Sequence, residues 1–311
     1  WSAEKAIFGK MTGEIRYVRT TRSGNSLNVA FLLRGGIGDV ILNIAWMDAL
    51  IHRSECSCTV DIYTNTPKIC MTDICIPCPY IKNIDTLKEK IKASDYDVIF
   101  DVMQLPKVRA CDPKRLNKLS SFMEGYVQKL IDFQSSHASY YFDENQAMGI
   151  HYADAMGTFR RGQADFDGSL GLKDSTFTLQ APLRREELSS RFGLNGDYIT
   201  IQRESGVSPQ SLKLWSAAKY TAMLDALCRE HPTVPAVLIG KEKNFALPAG
   251  SHGHILDLRG RTNFEEFMTL VRYARLHIGC EGVVPHMRHY LRGGPSLVLF
   301  GPSCARQLGY P

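Results

Sequence analysis

Apolar positions along the chain switch repeatedly between two spacings. Asn28 to Leu33 is an apolar run of strand length, and Val40, Ile41, Ile44, Ala45 and Leu50 then recur at helical spacing through His52. Thr59 to Tyr63 alternates like a strand, Asp97 to Val102 is another, and Asn117 to Phe133 predicts an amphipathic helix carrying Leu119, Phe122, Met123, Tyr126, Leu130 and Ile131 on one face. After a polar stretch at about 173–196, taken as a linker with a short helix, the series restarts. Strands are predicted at Tyr198–Gln202, Val234–Ile239, Ile255–Leu258, Leu276–Ile278 and Ser296–Phe300. Helices are predicted at Ser216–Glu230 and Phe264–Tyr273, and another starts near Val284. Strands alternating with helices of this length imply βαβ units and parallel sheets. Two series imply two α/β domains with a cleft between them: an extension at 1–27, then domains at 28–180 and 181–311.

Composition narrows the function classes. The 311 residues are 44% hydrophobic and 22% charged, the balance of a folded soluble protein. A net charge of +5 is too small to point to nucleic acid, and it suits an enzyme of phosphorylated ligands. No apolar run reaches the ~18–20 residues that span a bilayer. Nine cysteines in a long chain argue against a disulfide scaffold and for a reducing cytoplasm. The chain opens on Trp1 rather than Met, so it reads as a fragment.

The first candidate chemistry lies in the turn after the first strand. Gly35, Gly36 and Gly38 let backbone amides approach a ligand at a helix N-terminus, but their spacing is neither a dinucleotide fingerprint nor a phosphate loop. Asp39 sits in the first helical turn. It can simply complement the helix dipole, worth ~0.3–1 kcal/mol. Alternatively it is a general base at the carboxyl edge of the sheet, ionised at neutral pH and accepting a hydroxyl proton late in bond formation.

The second half adds three more segments. Lys213-Leu214-Trp215 follows a strand and precedes a helix. The lysine can reach a phosphate or be solvated, and Trp215 reads as core. Glu281 and His286 flank a helix start after Ile278-Gly279. There Gly282 and the amides of Val283 and Val284 suit a pyrophosphate, and Glu281 suits sugar hydroxyls. The plainer readings are an N-capping acid and a satisfied half-buried imidazole. In Gly260-Arg261-Thr262-Asn263, Thr262 or Asn263 is a helix cap.

The order of these pieces resembles glycosyltransferase family 9, the ADP-heptose:lipopolysaccharide heptosyltransferases. The resemblance runs through Leu33-Arg34-Gly35-Gly36-Ile37-Gly38-Asp39-Val40, Lys213-Leu214-Trp215, Val237-Leu238-Ile239-Gly240, Leu258-Arg259-Gly260-Arg261-Thr262, Glu281 to His286, and Leu297-Val298-Leu299-Phe300-Gly301-Pro302. It covers residues ~28–52 and ~195–303 and is thin between, apart from His151-Tyr152-Ala153-Asp154. It implies a GT-B architecture, two Rossmann-like domains facing across a cleft, the first for the acceptor and the second for the nucleotide-sugar donor. It implies inverting transfer of a heptose from ADP-heptose to a lipopolysaccharide-core or other glycan acceptor. Asp39 falls on the base, Lys213 on the phosphate-binding lysine, and Glu281 on the acid that holds the sugar. Gly282 and Val283 fall on the pyrophosphate amides, with His286 and Thr262 beside the donor.

No metal or other cofactor is implied, and the expected partners are a nucleotide sugar and a glycan or glycolipid acceptor. The location implied is cytoplasmic, with peripheral contact to the inner membrane face. The chain departs from the family where Glu281-Gly282-Val283 replaces Asp-Ser/Thr-Gly: the extra methylene shifts the carboxylate by roughly 1.5 Å, and one hydroxyl contact is lost. That change also fits a non-catalytic nucleotide-sugar-binding paralogue. A further branch glycosylates autotransporter proteins and carries an iron-binding cysteine cluster; Gly309-Tyr310-Pro311 resembles it faintly. The family's C-terminal helix is missing beyond Pro311, so the chain reads as C-terminally truncated.

Two clusters stand outside this scheme. Cys56, Cys58, Cys70, Cys75 and Cys78 fall within 23 residues, with Pro77 and Pro79 stiffening the loop. Cys70, Cys75 and Cys78 are weak metal candidates, and free or partly paired thiols are the preferred reading. Lys107, Arg109, Lys114, Arg115 and Lys118 can dock an acidic acceptor or an anionic membrane. A solvated loop before a core-facing helix is preferred.

Overall fold

A computed structural model describes residues 15–87, 90–102, 106–136, 176–204, 214–241, 245–248 and 253–300. Lys213, His151 to Asp154, Gly301-Pro302 and Gly309 to Pro311 lie outside the described residues. The chain divides into two compact units, Trp1–Phe177 and Thr178–Pro311.

The first unit holds a six-stranded sheet in the order β1-β6-β5-β2-β3-β4. Its strands are β1 (Arg16–Tyr17), β2 (Ser26–Leu33), β3 (Ser57–Thr64), β4 (Ile81–Thr86), β5 (Val98–Val102) and β6 (Pro106–Cys111). Strands β5, β2, β3 and β4 are parallel, β6 runs antiparallel to β5, and β1 follows β6 at the edge. Strand β2 is central and apolar on both faces, as a strand covered from both sides must be. Helix α1 (Ile37–Arg53) covers one face. Trp46 meets the Phe31 and Phe100 rings edge-on at 5.8 and 5.6 Å, and its indole N–H donates to the Tyr126 hydroxyl. On the other face Leu32, Tyr63, Tyr96 and Ile99 form a second cluster.

Several elements differ from the sequence expectation. Residues 16–17, read as part of an extension, form the edge strand β1, tied in further by the Thr20 amide donating to Asp112. The cysteine loop contains helix α2 (Lys68–Cys75), which buries Cys70, Met71, Ile74 and Cys75. The single helix expected at 117–133 is two, α3 (Pro113–Leu119) and α4 (Ser121–Ser136). Ser120 breaks them: it is extended, its hydroxyl donates to the Ser54 carbonyl at 2.6 Å, and it accepts from the Met123 amide. The basic segment is not a solvated loop. Lys107 and Arg109 lie in β6, Lys107 is buried, Arg109 pairs with Asp101, and Arg115 pairs with Asp97 at 3.5 Å.

The second unit holds five parallel strands in the order β11-β10-β7-β8-β9. These are β7 (Ile199–Gln202), β8 (Ala236–Leu238), β9 (Ile255–Asp257), β10 (Leu276–Cys280) and β11 (Ser296–Leu299), with helices α5 (Arg185–Phe192), α6 (Ala217–Glu230), α7 (Phe264–Tyr273) and α8 (Val283–Tyr290). Ile199, Ile201, Tyr220, Leu224, Leu238 and Ile278 make its core. Arg288 of α8 is buried and staples the unit by donating to the carbonyls of Val271, Ala274, Gly294 and Pro295. Trp215 is not core: it is 36% exposed, edge-on to Tyr220, with the Lys219 ammonium 5.4 Å from its ring.

Candidate functional site

Open parallel sheets bind ligands at the carboxyl ends of their strands, where the strand order reverses. Each unit has one such point. In the first, the chain runs β2 to β3 to β4 on one side and returns to β5 on the other, so the reversal lies between β2 and β5. In the second it lies between β7 and β10.

At the β2/β5 edge stands the glycine turn. Gly35 has φ +100°, a conformation that suits glycine. Gly36 is the N-cap of α1, and its amide donates to Asp39 Oδ2 at 3.0 Å. Asp39 is therefore folded back over its own helix start. A Cβ on Gly35 would lie 2.8 Å from Asp39 Oδ2, so the turn is shaped around that carboxylate. Gly38 is buried one position before it. The dipole-complementing and site-forming readings of Asp39 thus share one geometry: an N-capping carboxylate, half-buried, at the reversal point.

At the β7/β10 edge, Glu281 follows β10 and is buried at 6% exposure. Gly282 is the N-cap of α8 and has no side chain with which to cap the helix; Val283 and Val284 open its first turn. Pro285, the third helical residue, has no N–H to leave unsatisfied, so the first turn tolerates it. His286 lies buried on the same helix. From β7, Arg203 donates through Nε to the Trp215 carbonyl at 3.0 Å, and its own carbonyl accepts from the Cys280 thiol. Glu281, Gly282, Val283 and His286 all lie at this one helix start, within six residues of the chain. Thr262 is not placed with them by the strand order: it follows β9, the outer strand, with β7 and β8 between β9 and β10. Asn263 rather than Thr262 caps α7, accepting from the Glu266 amide at 2.8 Å.

Sequence reasoning missed two buried polar groups in the second unit. His277, fully buried in β10, shares a hydrogen bond with the Thr200 hydroxyl at 3.1 Å, and burial, with Arg288 adding repulsion, holds its pKa down at about 3. Arg259 is buried beside Asp257, which it grips through two nitrogens, and its guanidinium lies 4.4 Å from the Phe245 ring. His277 lies in no motif and is set by a contact distant in sequence, whereas Arg259 lies inside the Leu258 to Thr262 segment and its Asp257 partner is two residues away.

Cys70, Cys75 and Cys78 are buried, and burial pushes the Cys78 thiol up to about 12. Among the described residues no group of three or more His, Cys, Asp or Glu is placed to hold a metal ion. No helix among them is long and apolar enough to cross a membrane.

No family model and no curated protein sequence matches the chain. Solved structures share its fold. The E. coli ADP-heptose LPS heptosyltransferase II is 14% identical, with 90% of this chain and 87% of that one aligned at a TM-score of 0.53. The glycosyl transferase family 9 structure from Veillonella parvula DSM 2008 is 13% identical over 94% and 86%, at 0.55. TibC, the iron-containing dodecameric glycosyltransferase of enterotoxigenic E. coli H10407, is 13% identical over 94% of this chain, at 0.53; the chain spans 64% of its length. The fold is that of these GT-B glycosyltransferases, as the family resemblance implied.

Proposed function

We propose that the chain is an inverting glycosyltransferase that moves a heptose or similar sugar from a nucleoside diphosphate to a lipopolysaccharide-core or other glycan acceptor. ADP-heptose is the first donor to test, because a fold-sharing structure, TibC, is described in complex with ADP-D-β-D-heptose. The observation that carries the reading is the β7/β10 reversal point, where a buried acid, Glu281, adjoins a glycine-led helix start. Amides of Val283 and Val284 suit the diphosphate, and the Glu281 carboxylate suits the hydroxyls of a sugar attached to it.

In the proposed step the acceptor hydroxyl loses its proton to Asp39 as its oxygen bonds to the anomeric carbon. The bond from that carbon to the phosphate oxygen breaks at the same time, and the electron pair leaves with the diphosphate. Lys213 and the α8 amides take up the developing charge. No covalent enzyme intermediate forms.

The test is mass spectrometry of an acceptor extract incubated with the chain and ADP-heptose. A mass gain of one heptose on a glycan, glycolipid or protein identifies both the reaction and the acceptor class. Asp39→Asn is expected to cut turnover by ~100-fold or more, and a fall of only a few-fold removes Asp39 as base. Lys213→Ala is expected to raise the donor KM and lower kcat, and unchanged constants remove Lys213 from the site. Nucleotide-sugar binding by calorimetry, without transfer to any acceptor pool, would instead establish a binding paralogue.

A further inference from the structure

Two thiols meet beyond the C-terminal end of α1, the end opposite Asp39. Among the described cysteines, Cys70, Cys75, Cys78, Cys111 and Cys280 are buried, whereas Cys56, Cys58 and Cys228 are half-buried. The sulfurs of Cys56 and Cys58 are 3.9 Å apart. In a regular strand, residues two apart are separated by roughly 6.5 Å, so their short side chains would not meet this closely. Here Cys58 lies within β3, Cys56 precedes it, and Glu55 ahead of them has φ +57°, so the chain turns there instead of extending the strand.

One hydroxyl receives both thiols. Ser54 is the C-cap of α1, and its hydroxyl donates to the Ile51 carbonyl at 2.7 Å. A hydroxyl has one proton, so its oxygen is left to accept. The Cys56 thiol donates to it at 3.6 Å, and the Cys58 sulfur lies 3.3 Å from it. The two sulfurs thus converge on one oxygen. Burial pushes the Cys58 thiol up to about 12. The Ser54 carbonyl in turn accepts from the Ser120 hydroxyl, at the break between α3 and α4.

We propose that Cys56 and Cys58 are a dithiol modification site that closes to a disulfide by exchange with a low-molecular-weight disulfide. The exchange has two steps. The Cys56 thiolate attacks one sulfur of the small disulfide, its S–S bond breaks, and the other half leaves as a thiolate that takes up the proton Cys56 gave up. Cys58 then attacks the Cys56 sulfur, the mixed S–S bond breaks, and the second small thiolate leaves with the Cys58 proton. Two cysteine thiols are oxidised, and one small disulfide is reduced to two thiols. The protein sulfurs close from 3.9 Å to about 2 Å. Cys56 attacks first because burial keeps Cys58 protonated until the mixed disulfide is beside it. Cys75 and Cys78 are also near each other in the chain, but both are buried, so a small disulfide reaches Cys56 before them. The site does not depend on the transferase reading.

The test uses the whole chain, reduced and then incubated with oxidised glutathione without denaturant. Trypsin releases the peptide 54–68, whose cysteines are Cys56 and Cys58 alone. Mass spectrometry should find this peptide lighter by two hydrogens and free of glutathione, with the remaining cysteines, alkylated after unfolding, recovered unbridged. Excess reduced glutathione should restore the dithiol. Cys58→Ser should stop at the mixed disulfide, with one glutathione on Cys56. Cys56→Ser should take up glutathione on Cys58 at least ~10-fold more slowly, because a buried thiol offers little thiolate. Equal rates in the two variants would overturn the order of attack. The site itself is overturned by a native peptide that stays reduced, by one that carries glutathione without a bridge, or by a bridge mapped to another pair, while circular dichroism shows the chain folded. These readings come from the native chain and stand whether or not the variants fold. Sugar transfer is measured separately, and its absence leaves them unchanged.

Discussion

Replacing Gly35 by alanine tests whether the first reversal point is built around Asp39. Two costs can be worked from the geometry. At φ +100° an L-residue is strained, by ~1–2 kcal/mol. The new Cβ would also lie 2.8 Å from Asp39 Oδ2, 2.9 Å from its Cβ and 3.0 Å from its Cγ, so the carboxylate must swing away. It then loses the bond from the Gly36 amide, and a hydrogen bond to a charged group is worth ~1.5–3 kcal/mol, taken at the low end because Asp39 is half-exposed. The expected destabilisation is about 3 kcal/mol. In an Asp39→Gly background the colliding atoms and the bond are both gone, and Gly35→Ala should cost only the ~1–2 kcal/mol of backbone strain. The coupling is thus about 1.5 kcal/mol. Urea unfolding measures it, followed by Trp46, whose ring packs on Phe31 and Phe100, in a Trp1→Phe, Trp215→Phe reference chain. Equal costs of Gly35→Ala in the two backgrounds would refute the reasoning, because Asp39 would then not be seated on the turn. In the folded Gly35→Ala chain, turnover should fall with Asp39 displaced.

The second unit offers two further tests. Gly279→Ala places a Cβ 2.6 Å from His277 Nε2 and 2.7 Å from the Gln202 carbonyl oxygen of the neighbouring strand, and should destabilise by ~2–3 kcal/mol; a loss under ~0.5 kcal/mol in denaturant melts would contradict that packing. His277 should make stability fall with acidity. Its folded pKa of about 3 lies below the unfolded 6.5, so between these values the unfolded chain binds the extra proton. Stability is therefore unaffected above pH 6.5 and is lost as pH drops below it, by at most about 1.4 kcal/mol per pH unit. Melts between pH 4 and 7 should show this slope, and His277→Asn should reduce it; an unchanged slope assigns the acid sensitivity elsewhere.

What the sequence revealed depended on how local each cause was. The central strand was visible because burial on both faces demands the unbroken run Asn28 to Leu33. The Asp39 turn was visible because glycines and an acid at a helix start are contiguous in the chain. Helix α2 was hidden because two of its five buried residues are cysteines, which suggested thiol chemistry before packing. Strand β6 was hidden by Lys107 and Arg109, since a basic run looks solvated until Asp101 is known to lie beside it. The break at Ser120 depends on the Ser54 carbonyl, 66 residues away, and no local pattern announces it.

Under the proposed function the two helix starts also divide the labour between the units. Both follow the carboxyl end of a strand at a reversal point, so strand order alone does not say which receives a diphosphate. Their caps do. In α1 the N-cap amide already donates to Asp39, which places a negative charge over the helix start. A diphosphate approaching there would meet a carboxylate, and like charges close together cost energy. In α8 the N-cap is Gly282, which has no side chain, and the acid of that edge, Glu281, lies outside the helix, one residue before the cap. An anion can be met there by the Val283 and Val284 amides. The same asymmetry suits Asp39 to proton transfer, because a carboxylate held by its own helix start keeps its position when the neighbouring ligand changes.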